Sequence, residues 1–330
     1  MAAKREKLAR ANFWQGLNRP IFALAPMDQV TSLSFREVFA LYGKPDVMFT
    51  EFVNVDGLLH PDGQKKLKEN LKFTAKQRPM VAQIWGNDPE KFTRAAKLVA
   101  KLGFDGVDIN MGCPQGKEVA LGTCSALIRN PKLAVKIIEA VKKGAGKLPV
   151  SVKTRIGYSK MEEMSPWIKT LLRTEIAVLA IHGRTKKEMS KAPAHWDAIA
   201  EAVEIRNKLK SKTLILGNGD IKSREEAFER VKESGVDGVM IGRGAFGNPW
   251  IFNAKNPQPG IKEKMAALLH HARLFETMYK KKKPFAIMCK HFKAYASGFE
   301  GAHELRARLM QAKNYKETRK LVSAFLKNSQ

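Results

Sequence analysis

Eight short apolar segments recur about every 30 residues between residues 21 and 241. The stretches between them have a 3.6-residue apolar period, as expected of amphipathic helices. Eight strand–helix units predict an α/β fold, the (β/α)8 TIM barrel, with an open doubly wound sheet as the alternative. The nearly equal spacing favours a closed barrel, and no Gly-X-Gly-X-X-Gly fingerprint follows the first segment. The predicted strands are residues 21–25, 47–53, 80–85, 104–109, 150–154, 177–181, 213–216 and 236–241.

Capping signals mark the starts of three of the predicted helices. Residues 88–101 open with Asp-Pro-Glu, which supplies an N-cap, a proline in the first turn and an acid that suits the helix dipole. Residues 130–143 open with Asn-Pro in the same way. Residues 223–233 place Ser223 and Glu226 at capping-box spacing.

The pattern changes after residue 252. Residues 253–260 contain two prolines and a glycine and are typical of a linker, and only helical patterns follow, from residue 261 to about residue 326. Four consecutive lysines, residues 280–283, are followed by Pro284, and this segment is expected to divide the tail into two helices. The sequence therefore predicts a barrel domain over 1–252 and a small C-terminal helical domain over 253–330.

The charge balance indicates a polyanionic partner. Lys and Arg number 59 against 32 Asp and Glu, a formal net charge of +27, and such an excess favours nucleic acid. No apolar run of about 18 residues predicts a membrane span, and no apolar core follows the basic N-terminus to make a signal peptide. Residues 290–295 mix bases with aromatics, as either a solvated helix face over a small core or an RNA-contacting surface, and the charge favours the second.

Three widely spaced cysteines argue against a disulfide framework and for a reducing compartment, and no Cys or His cluster suggests a metal. Cys113 lies in a Gly-Cys-Pro turn that follows an apolar strand and should display its thiol at the end of that strand. A buried structural cysteine is the alternative there. Cys124 and Cys289 are expected to be structural.

Polar side chains follow most of the predicted strands. Because the C-terminal ends of barrel strands face one pocket, these side chains predict a shared polar ligand. Glycines after the last two strands, with Arg243 and a helix expected to begin near Ala245, suggest a phosphate cradle. Gln83 suits the imide edge of a flavin and Lys153 its anionic reduced form, so FMN is the expected ligand. The polar or charged residues at the strand ends are Asp28, Gln83, Asn110, Lys153, Arg155, His182, Asn218, Asp220 and Arg243.

Seven motifs in order resemble those of the tRNA-dihydrouridine synthases. The match runs from about residue 20 to 252, and more loosely through the helical tail. The Asn-Met-Gly-Cys-Pro element is specific, whereas Asn-Gly-Asp and Gly-Arg-Gly also occur in other FMN barrels. The motifs are Ala25-Pro26-Met27, Val81-Ala82-Gln83-Ile84, Asp108-Ile109-Asn110-Met111-Gly112-Cys113-Pro114, Val152-Lys153-Thr154-Arg155, His182-Gly183-Arg184-Thr185, Gly217-Asn218-Gly219-Asp220 and Ile241-Gly242-Arg243-Gly244.

The resemblance implies a monomeric cytoplasmic enzyme that holds tRNA with its helical domain and uses NADPH or NADH to reduce FMN. In that family reduced FMN gives hydride to uracil C6, and Cys113 would give the proton to C5. Asn110, Lys117 and Arg155 would bind the substrate. The chain departs from the usual pattern at Asp28, at Met189 and at Ala194-His195-Trp196. The cofactor-binding residues implied are Pro26, Met27, Asp28, Gln83, Lys153, His182, Asn218, Gly219, Asp220, Gly242 and Arg243.

Two other classes of function stay open at this point. One is an FMN barrel that reduces a free pyrimidine or another small molecule, against which the net charge and the helical tail speak. The other is an RNA-binding module with an inactive barrel, which the presence of Gln83, Cys113 and Lys153 opposes.

Overall fold

The strands close into a parallel barrel. The computed structural model describes residues 12–280 and 282–328, so residues 1–11, Lys281 and residues 329–330 of the two predicted domains lie outside the described residues. The sheet runs β2-β1-β9-β8-β7-β6-β5-β4, and β2 pairs with β4 to complete a ring of eight. The closed barrel is confirmed and the open doubly wound sheet is wrong. The strands are β1 (Ile21–Leu24), β2 (Val47–Phe49), β3 (Val53–Asn54), β4 (Met80–Trp85), β5 (Gly106–Met111), β6 (Val150–Gly157), β7 (Val178–Thr185), β8 (Leu214–Asn218) and β9 (Gly238–Ile241).

The segment predicted as one strand over 47–53 is divided in two. Both β2 and β3 pair with β4, so they form one interrupted member of the ring. At the interruption the Thr50 hydroxyl oxygen accepts a hydrogen bond from the backbone N–H of Gln83 at 3.1 Å. A side chain thus replaces a backbone carbonyl in the ladder, which sequence periodicity does not reveal.

The three helices with capping signals are confirmed to within one or two residues. Asp88, Asn130 and Ser223 each accept a hydrogen bond from a backbone N–H of the first turn. The helix expected near Ala245 is wrong, since residues 243–245 form a single 3-10 turn. The helices are α1 (Leu33–Tyr42), α2 (Val55–Leu59), α3 (Pro61–Leu67), α4 (Pro89–Lys101), α5 (Gly116–Ala120), α6 (Pro131–Ala145), α7 (Met164–Leu172), α8 (Trp196–Lys208), α9 (Arg224–Ser234), α10 (Ile261–Tyr279), α11 (Met288–Tyr295), α12 (Ala302–Leu309) and α13 (Tyr315–Asn328).

The interior of the barrel is apolar at one end and polar at the other. Near the N-terminal ends of the strands, Trp14 packs with Ile21, Val47 and Phe49 in a buried cluster. Side chains alternate between the two faces of a strand, so the same inward rows continue into polar residues toward the C-terminal ends. On β7, for example, Val178 and Ala180 belong to this cluster, and the next residue of the row is His182.

The helical tail packs against the barrel through α10 and α1. The Leu33 N–H donates to the Tyr279 hydroxyl at 3.0 Å, and Lys290 Nζ donates to the Gln29 carbonyl at 3.0 Å, which brings α11 next to the loop after β1. Two tail helices were expected, but the described residues form four, because sequence patterning does not separate short helices joined by tight turns.

The prediction that residues 290–295 contact RNA through phosphate-binding lysines stays a prediction, but the aromatic side chains of this segment do not reach the surface. His291, Phe292 and Tyr295 are buried in the core of the tail. Lys293 is exposed, and Lys290 and Ala294 are partly exposed.

None of the helices within residues 12–280 and 282–328 has the length and apolar character needed to cross a lipid bilayer. Within the same ranges, no three His, Cys, Asp or Glu side chains are grouped so that they could hold a metal ion.

Candidate active site at the mouth of the barrel

A cavity of about 1340 Å³ opens at the C-terminal ends of the strands. Of the residues predicted for the site, only Lys117 does not line it, and Lys117 is exposed on the short helix α5 next to Glu118, which does. The cavity exceeds the ~300–1,000 Å³ usual for a small-molecule site, so it has room for a second group beside a cofactor. The predicted residues that line it are Pro26, Met27, Asp28, Gln83, Asn110, Cys113, Lys153, Arg155, His182, Asn218, Gly219, Asp220, Gly242 and Arg243.

A chain of buried hydrogen bonds fixes the amide of Gln83. Its Nε2 donates to Asp108 Oδ2 at 2.7 Å, and its Oε1 accepts from Asn110 Nδ2 at 3.0 Å. The Ser151 hydroxyl donates to the other oxygen of Asp108. Burial raises the pKa of Asp108 to about 6, although the bonds from Ser151 and Gln83 favour its ionised form. A primary amide has two N–H groups and two lone pairs, so Gln83 keeps one of each for a ligand.

The turn that carries Cys113 is held from two sides. Asn110 Oδ1 accepts from the backbone N–H groups of Gly112 at 3.0 Å and Cys113 at 2.9 Å. Arg155 Nε donates to the Gly112 carbonyl at 2.8 Å, and Arg155 Nη1 donates to the Met189 carbonyl at 2.9 Å. Asn110 and Arg155, predicted to meet the substrate, therefore position the thiol turn. Within the described residues Arg155 Nη2 makes no hydrogen bond, so its two N–H groups are available to a ligand.

The Cys113 thiol is half-buried and has another thiol as its neighbour. Its pKa is lowered first by the interaction with Cys124 and also by Arg155, while burial and Glu118 act in the opposite direction. Cys124 is fully buried, as expected of a structural cysteine, but it lies against the predicted proton donor. Cys289 lies in the tail, on α11, away from this pair.

Lys153 provides a half-buried cation in the cavity. Its Nζ donates to Asn218 Oδ1 at 3.0 Å, and Asn218 Nδ2 donates in turn to the Met240 carbonyl at 2.6 Å. Burial and the nearby charge of Arg155 lower the pKa of Lys153 to about 8, against the attraction of Asp108. An ammonium needs more than one acceptor when it is desolvated, so this geometry favours an anionic or carbonyl-bearing ligand.

Two arginines share one carboxylate at the other end of the cavity. Asp220 accepts hydrogen bonds from Arg184 and, at 2.6 Å, from Arg243 Nη2. Burial opposes its ionisation, but the bonds from Arg184 and from the Ala194 N–H outweigh that effect and lower the pKa of Asp220. Asp220 is therefore a residue that orients Arg243, whose side chain is 62% exposed and can turn toward a phosphate.

His182 is neutral in this environment. Its Nε2 lies 3.1 Å from Arg184 Nη1, which can only donate, so Nε2 accepts. Burial, Lys153 and Arg155 hold the pKa of His182 well below its usual 6.5. The ring thus keeps one N–H on Nδ1.

Gly219 and Gly242 of the predicted phosphate cradle differ in the space that an added Cβ would have. Gly219 has a φ of +140°, and a Cβ there would lie 2.5 Å from the Ala194 side chain. At Gly242, an added Cβ would meet Ala25 and Met27 only at 3.6 Å, an ordinary contact. The protein itself would thus accept a side chain at Gly242, and the space in front of this backbone remains available to a ligand.

Three residues of the site were not singled out by the sequence. Arg184 belongs to the His-Gly-Arg-Thr motif, so its alternation with His182 could have placed it in the cavity. Asp108 lies two residues before Asn110 on β5, so alternation along the strand places both side chains on the same inward face. Cys124 gave no signal, because its contact with Cys113 depends on the path of the loop between them.

The fold and the site define a class of protein. It is a closed (β/α)8 barrel with a half-buried lysine, a fixed amide and a thiol around one cavity at its C-terminal mouth. The chain belongs to the dihydrouridine synthase (Dus) family, because the model of that family matches residues 23–330.

Full-length relatives agree with this assignment. The chain is 44% identical over 315 residues to a protein of Bacillus subtilis (strain 168) named probable tRNA-dihydrouridine synthase 2, covering 95% of this chain and 96% of that protein. It is 43% identical over 317 residues to the probable tRNA-dihydrouridine synthase of Staphylococcus aureus (strain MRSA252), covering 96% of each.

Solved structures support the fold. An old yellow enzyme homologue from Zymomonas mobilis superimposes with a TM-score of 0.51 at 16% identity, over 74% of this chain and 91% of that one. Histamine dehydrogenase from Rhizobium sp. 4-9 gives a TM-score of 0.55 at 12% identity, over 77% of this chain and 48% of that one.

Proposed function

We propose that the protein is an FMN-dependent tRNA-dihydrouridine synthase that reduces the C5=C6 bond of uridines in tRNA. The observation that carries the proposal is that the Cys113 thiol, Lys153 and Gln83 line one cavity, in a chain of the dihydrouridine synthase family. The proposal rests on residue chemistry as well, since a thiol is neutral near pH 7 and yet gives up its proton readily.

The residues at the mouth fit FMN. Lys153 has only one acceptor within the described residues, Gln83 keeps one free N–H and one lone pair, and the space before Gly242 is open. Pro26, Met27 and Asp28 would line the ring system. Lys153 and Gln83 would bond its polar edge, and the remaining predicted residues would hold the ribityl chain and phosphate, namely His182, Asn218, Gly219, Asp220, Gly242 and Arg243. Bound and reduced by NADPH or NADH, FMN would supply hydride for C6 of the uracil.

The chain itself would deliver the proton. Cys113 would give its thiol proton to C5, so an S–H bond breaks, a C–H bond forms and the electron pair stays on sulfur. Asn110 holds the backbone of this turn, and Arg155 has two N–H groups free to bond a carbonyl of the uracil. Water would then reprotonate the thiolate.

The formal net charge of +27 suits an RNA substrate. A uridine must leave its stack to reach the cavity, at a cost of a few kcal/mol, which phosphate contacts with basic side chains would offset. We assign the chemistry to residues 1–252 and the holding of tRNA to residues 253–330, with Lys117 as a contact at the rim of the cavity. The protein would act as a monomer in the cytoplasm, where tRNA and reduced nicotinamides are found.

Activity on an unmodified tRNA transcript tests the proposal. The purified protein should be yellow and should form dihydrouridine when NADPH is supplied, detected by mass spectrometry of nucleosides. The same assay with free uridine separates a tRNA enzyme from a small-molecule reductase, and equal turnover of both would overturn the proposal. A colourless protein that binds tRNA without reducing it would indicate an RNA-binding module instead. Mapping the reduced positions in tRNA from a strain without the gene would identify the target uridine.

A further inference from the structure

Two cations lie on one aromatic ring at the rim of the barrel, where Arg129, Tyr158 and Lys186 together form the Tyr158 cluster. The guanidinium carbon of Arg129 lies 4.6 Å from the centre of the Tyr158 ring, and Lys186 Nζ lies 5.1 Å from it. Tyr158 follows the last residue of β6, Gly157, and Lys186 follows the last residue of β7, Thr185. The cluster therefore lies at the C-terminal ends of the strands, the same end of the barrel as the cavity.

Backbone hydrogen bonds fix the loops that carry the ring and the lysine. The Lys186 N–H donates to the Gly157 carbonyl and the Lys187 N–H donates to the Tyr158 carbonyl, each at 2.9 Å. The pairing of β6 with β7 thus continues beyond both strands. The 3-10 segment Cys124–Arg129, which ends in the arginine of the cluster, packs against β6. The connections that follow β5, β6 and β7 therefore hold the cluster together.

No carboxylate neutralises either cation. Within residues 12–280 and 282–328, Arg129 and Lys186 form no ion pair and no side-chain hydrogen bond. Glu163 and Glu188, which lie close to the cluster in sequence, each accept a hydrogen bond from a backbone N–H instead, at 2.5 and 2.7 Å. Because both cations are measured to one ring centre, they lie within about 10 Å of each other, which is the Debye length at 0.1 M salt. Their mutual repulsion is thus only partly screened, and an anion bound between them would relieve it.

The cluster lies across the mouth of the barrel from the helical tail. Counted from β1 in either direction around the closed ring, with β2 and β3 as one member, β6 is the fourth strand, so these two strands are diametrically opposite. The tail reaches the rim next to β1, where Lys290 of α11 donates to the Gln29 carbonyl. The loop with Tyr158 follows β6 and is therefore on the far side of the cavity.

We propose that the Tyr158 cluster is a second RNA-binding site, at which Arg129 and Lys186 bind backbone phosphates of the substrate on the side of the cavity opposite the tail. The inference rests on the proposed function. A nucleotide whose base enters the cavity stays joined to its neighbours through phosphates on both sides, and both stretches of strand have to cross the rim. The tail contacts the strand on one side of the opening, and the cluster contacts it on the other.

The ring positions the cations without neutralising them. The face of an aromatic ring attracts a cation through its quadrupole but carries no net charge. The N–H donors of Arg129 and Lys186 therefore stay free for phosphate oxygens, and no ion pair has to break before a phosphate binds. An acidic protein segment is the alternative partner, but the formal net charge of +27 and the place of the cluster beside the cavity favour RNA.

Anisotropy titrations of the full-length protein with a labelled tRNA transcript, at several KCl concentrations, test the inference. The double substitution Arg129→Gln and Lys186→Gln removes both charges and keeps polar side chains. Its matched control, Lys147→Gln and Lys212→Gln, removes two exposed charges just before β6 and β8, at the opposite end of the barrel. At 0.1 M KCl we expect the cluster variant to bind roughly tenfold or more weakly than wild type, with a slope of log K against log salt that is flatter by about two. The control should bind as wild type does.

Two substitutions of Tyr158 test the role of the ring. Tyr158→Leu keeps both charges and removes the ring that positions them, so tRNA affinity should fall by about twofold to fivefold. Tyr158→Phe keeps the ring and should bind as wild type does. Equal affinity of Tyr158→Leu and wild type would show that the ring does not position the cations.

The outcomes separate this inference from the proposed function. A wild-type protein that did not bind tRNA would contradict the proposed function itself. If wild type bound tRNA and formed dihydrouridine, while the cluster variant and the control gave the same affinity and slope, the inference alone would be overturned. Labelled poly-glutamate tests the alternative partner, because a cluster variant that lost affinity for this polymer but not for tRNA would assign the cluster to an acidic protein. Melting temperatures equal to that of wild type are expected for both double variants, since their substituted side chains make no hydrogen bond within the described residues.

Discussion

The barrel mouth and the interface between barrel and tail both bury polar groups, but they treat them differently. At the mouth, Ser151, Asp108, Gln83 and Asn110 form a continuous chain of hydrogen bonds. At the interface, the rings of His271 and His291 lie 4.6 Å apart, and Phe35 lies next to both of them. Within the described residues, His271 Nδ1 and His291 Nε2 have no hydrogen-bond partner.

The difference indicates what each region is for. At the mouth, hydrogen bonds orient polar side chains toward the cavity. Gln83, Arg155 and Lys153 each keep donors that can bond a ligand. The interface uses neutral imidazoles as flat rings in an aromatic cluster, where Ser34 Oγ at 3.4 Å from His271 Nε2 is the only side-chain bond to either ring within the described residues. We therefore expect substitutions at the mouth to change chemistry and those at the interface to change stability alone.

The largest effect is expected from Cys113→Ala. Loss of a general acid slows a reaction by about 10²–10⁴-fold, so dihydrouridine formation should nearly vanish. Flavin absorbance should persist, because the cofactor contacts predicted for Lys153 and Gln83 are untouched. Cys289→Ala, which removes a thiol from the tail, is the matched control and should keep full activity. Full activity in Cys113→Ala would remove this thiol from the mechanism.

The next effect concerns the hydrogen-bond chain below the cavity. Asp108→Ala leaves the donors of Ser151 and Gln83 without their acceptor in a dry site, at about 1–3 kcal/mol for each unsatisfied group. The free energy of unfolding from urea titration of flavin-free protein should fall accordingly, and flavin affinity should fall too because Gln83 loses its fixed orientation. Ser151→Ala removes one bond and should cost clearly less. If both variants were equally stable, the chain would not hold Gln83.

The sequence predicted the barrel because its strands repeat a local pattern, and each strand could be recognised independently of the others. The ends of the strands were less certain. Strand β6, for example, continues to Gly157 through a shift of register after Arg155, whereas its predicted end is Thr154. The interruption at Thr50 and the one-turn segment after Arg243 depend on side-chain bonds and packing that no local pattern records.

Most of the predicted site residues meet in one cavity because parallel strands bring their C-terminal ends together. Their pairing could not be predicted, since that requires distances between strands. Asp220, predicted to bind the cofactor, lines the cavity and also holds two arginines, and Cys124, predicted to be structural, is fully buried beside Cys113. In the tail, composition suggested that residues 290–295 form a surface. It did not predict that the aromatic residues of this segment face the core.

A smaller effect, confined to stability, is expected at the interface when the pH falls. Burial lowers the pKa of His291 to about 3 and holds that of His271 well below 6.5. Below about pH 6.5 the two histidines bind protons in the unfolded chain but not in the folded protein. The free energy of unfolding should therefore decrease progressively between pH 6.5 and 3. His291 alone should cost about 2 kcal/mol between pH 7 and 5.

Urea titrations at pH 7 and pH 5 measure this loss. His291→Phe keeps a ring beside Phe35 and Phe246 and removes the titrating group, so its stability should depend less on pH than that of wild type. A substitution of His303, an exposed histidine on α12, is the control and should leave the wild-type dependence intact. Equal pH dependence of His291→Phe and wild type would mean that the buried ring is not the cause.

The smallest effect is expected at the rim of the mouth, where Lys117 is exposed beside the cavity. A lysine that neutralises one phosphate contributes about one unit to the slope of log K against log salt, so Lys117→Ala should weaken tRNA binding modestly and flatten that slope by about one. Fluorescence anisotropy with labelled tRNA at several KCl concentrations measures both quantities. Lys147, exposed just before β6 at the opposite end of the barrel, is the matched control. Because each variant removes one positive charge, a general loss of charge would change both slopes equally, and only a phosphate contact at the mouth changes the slope of Lys117→Ala alone.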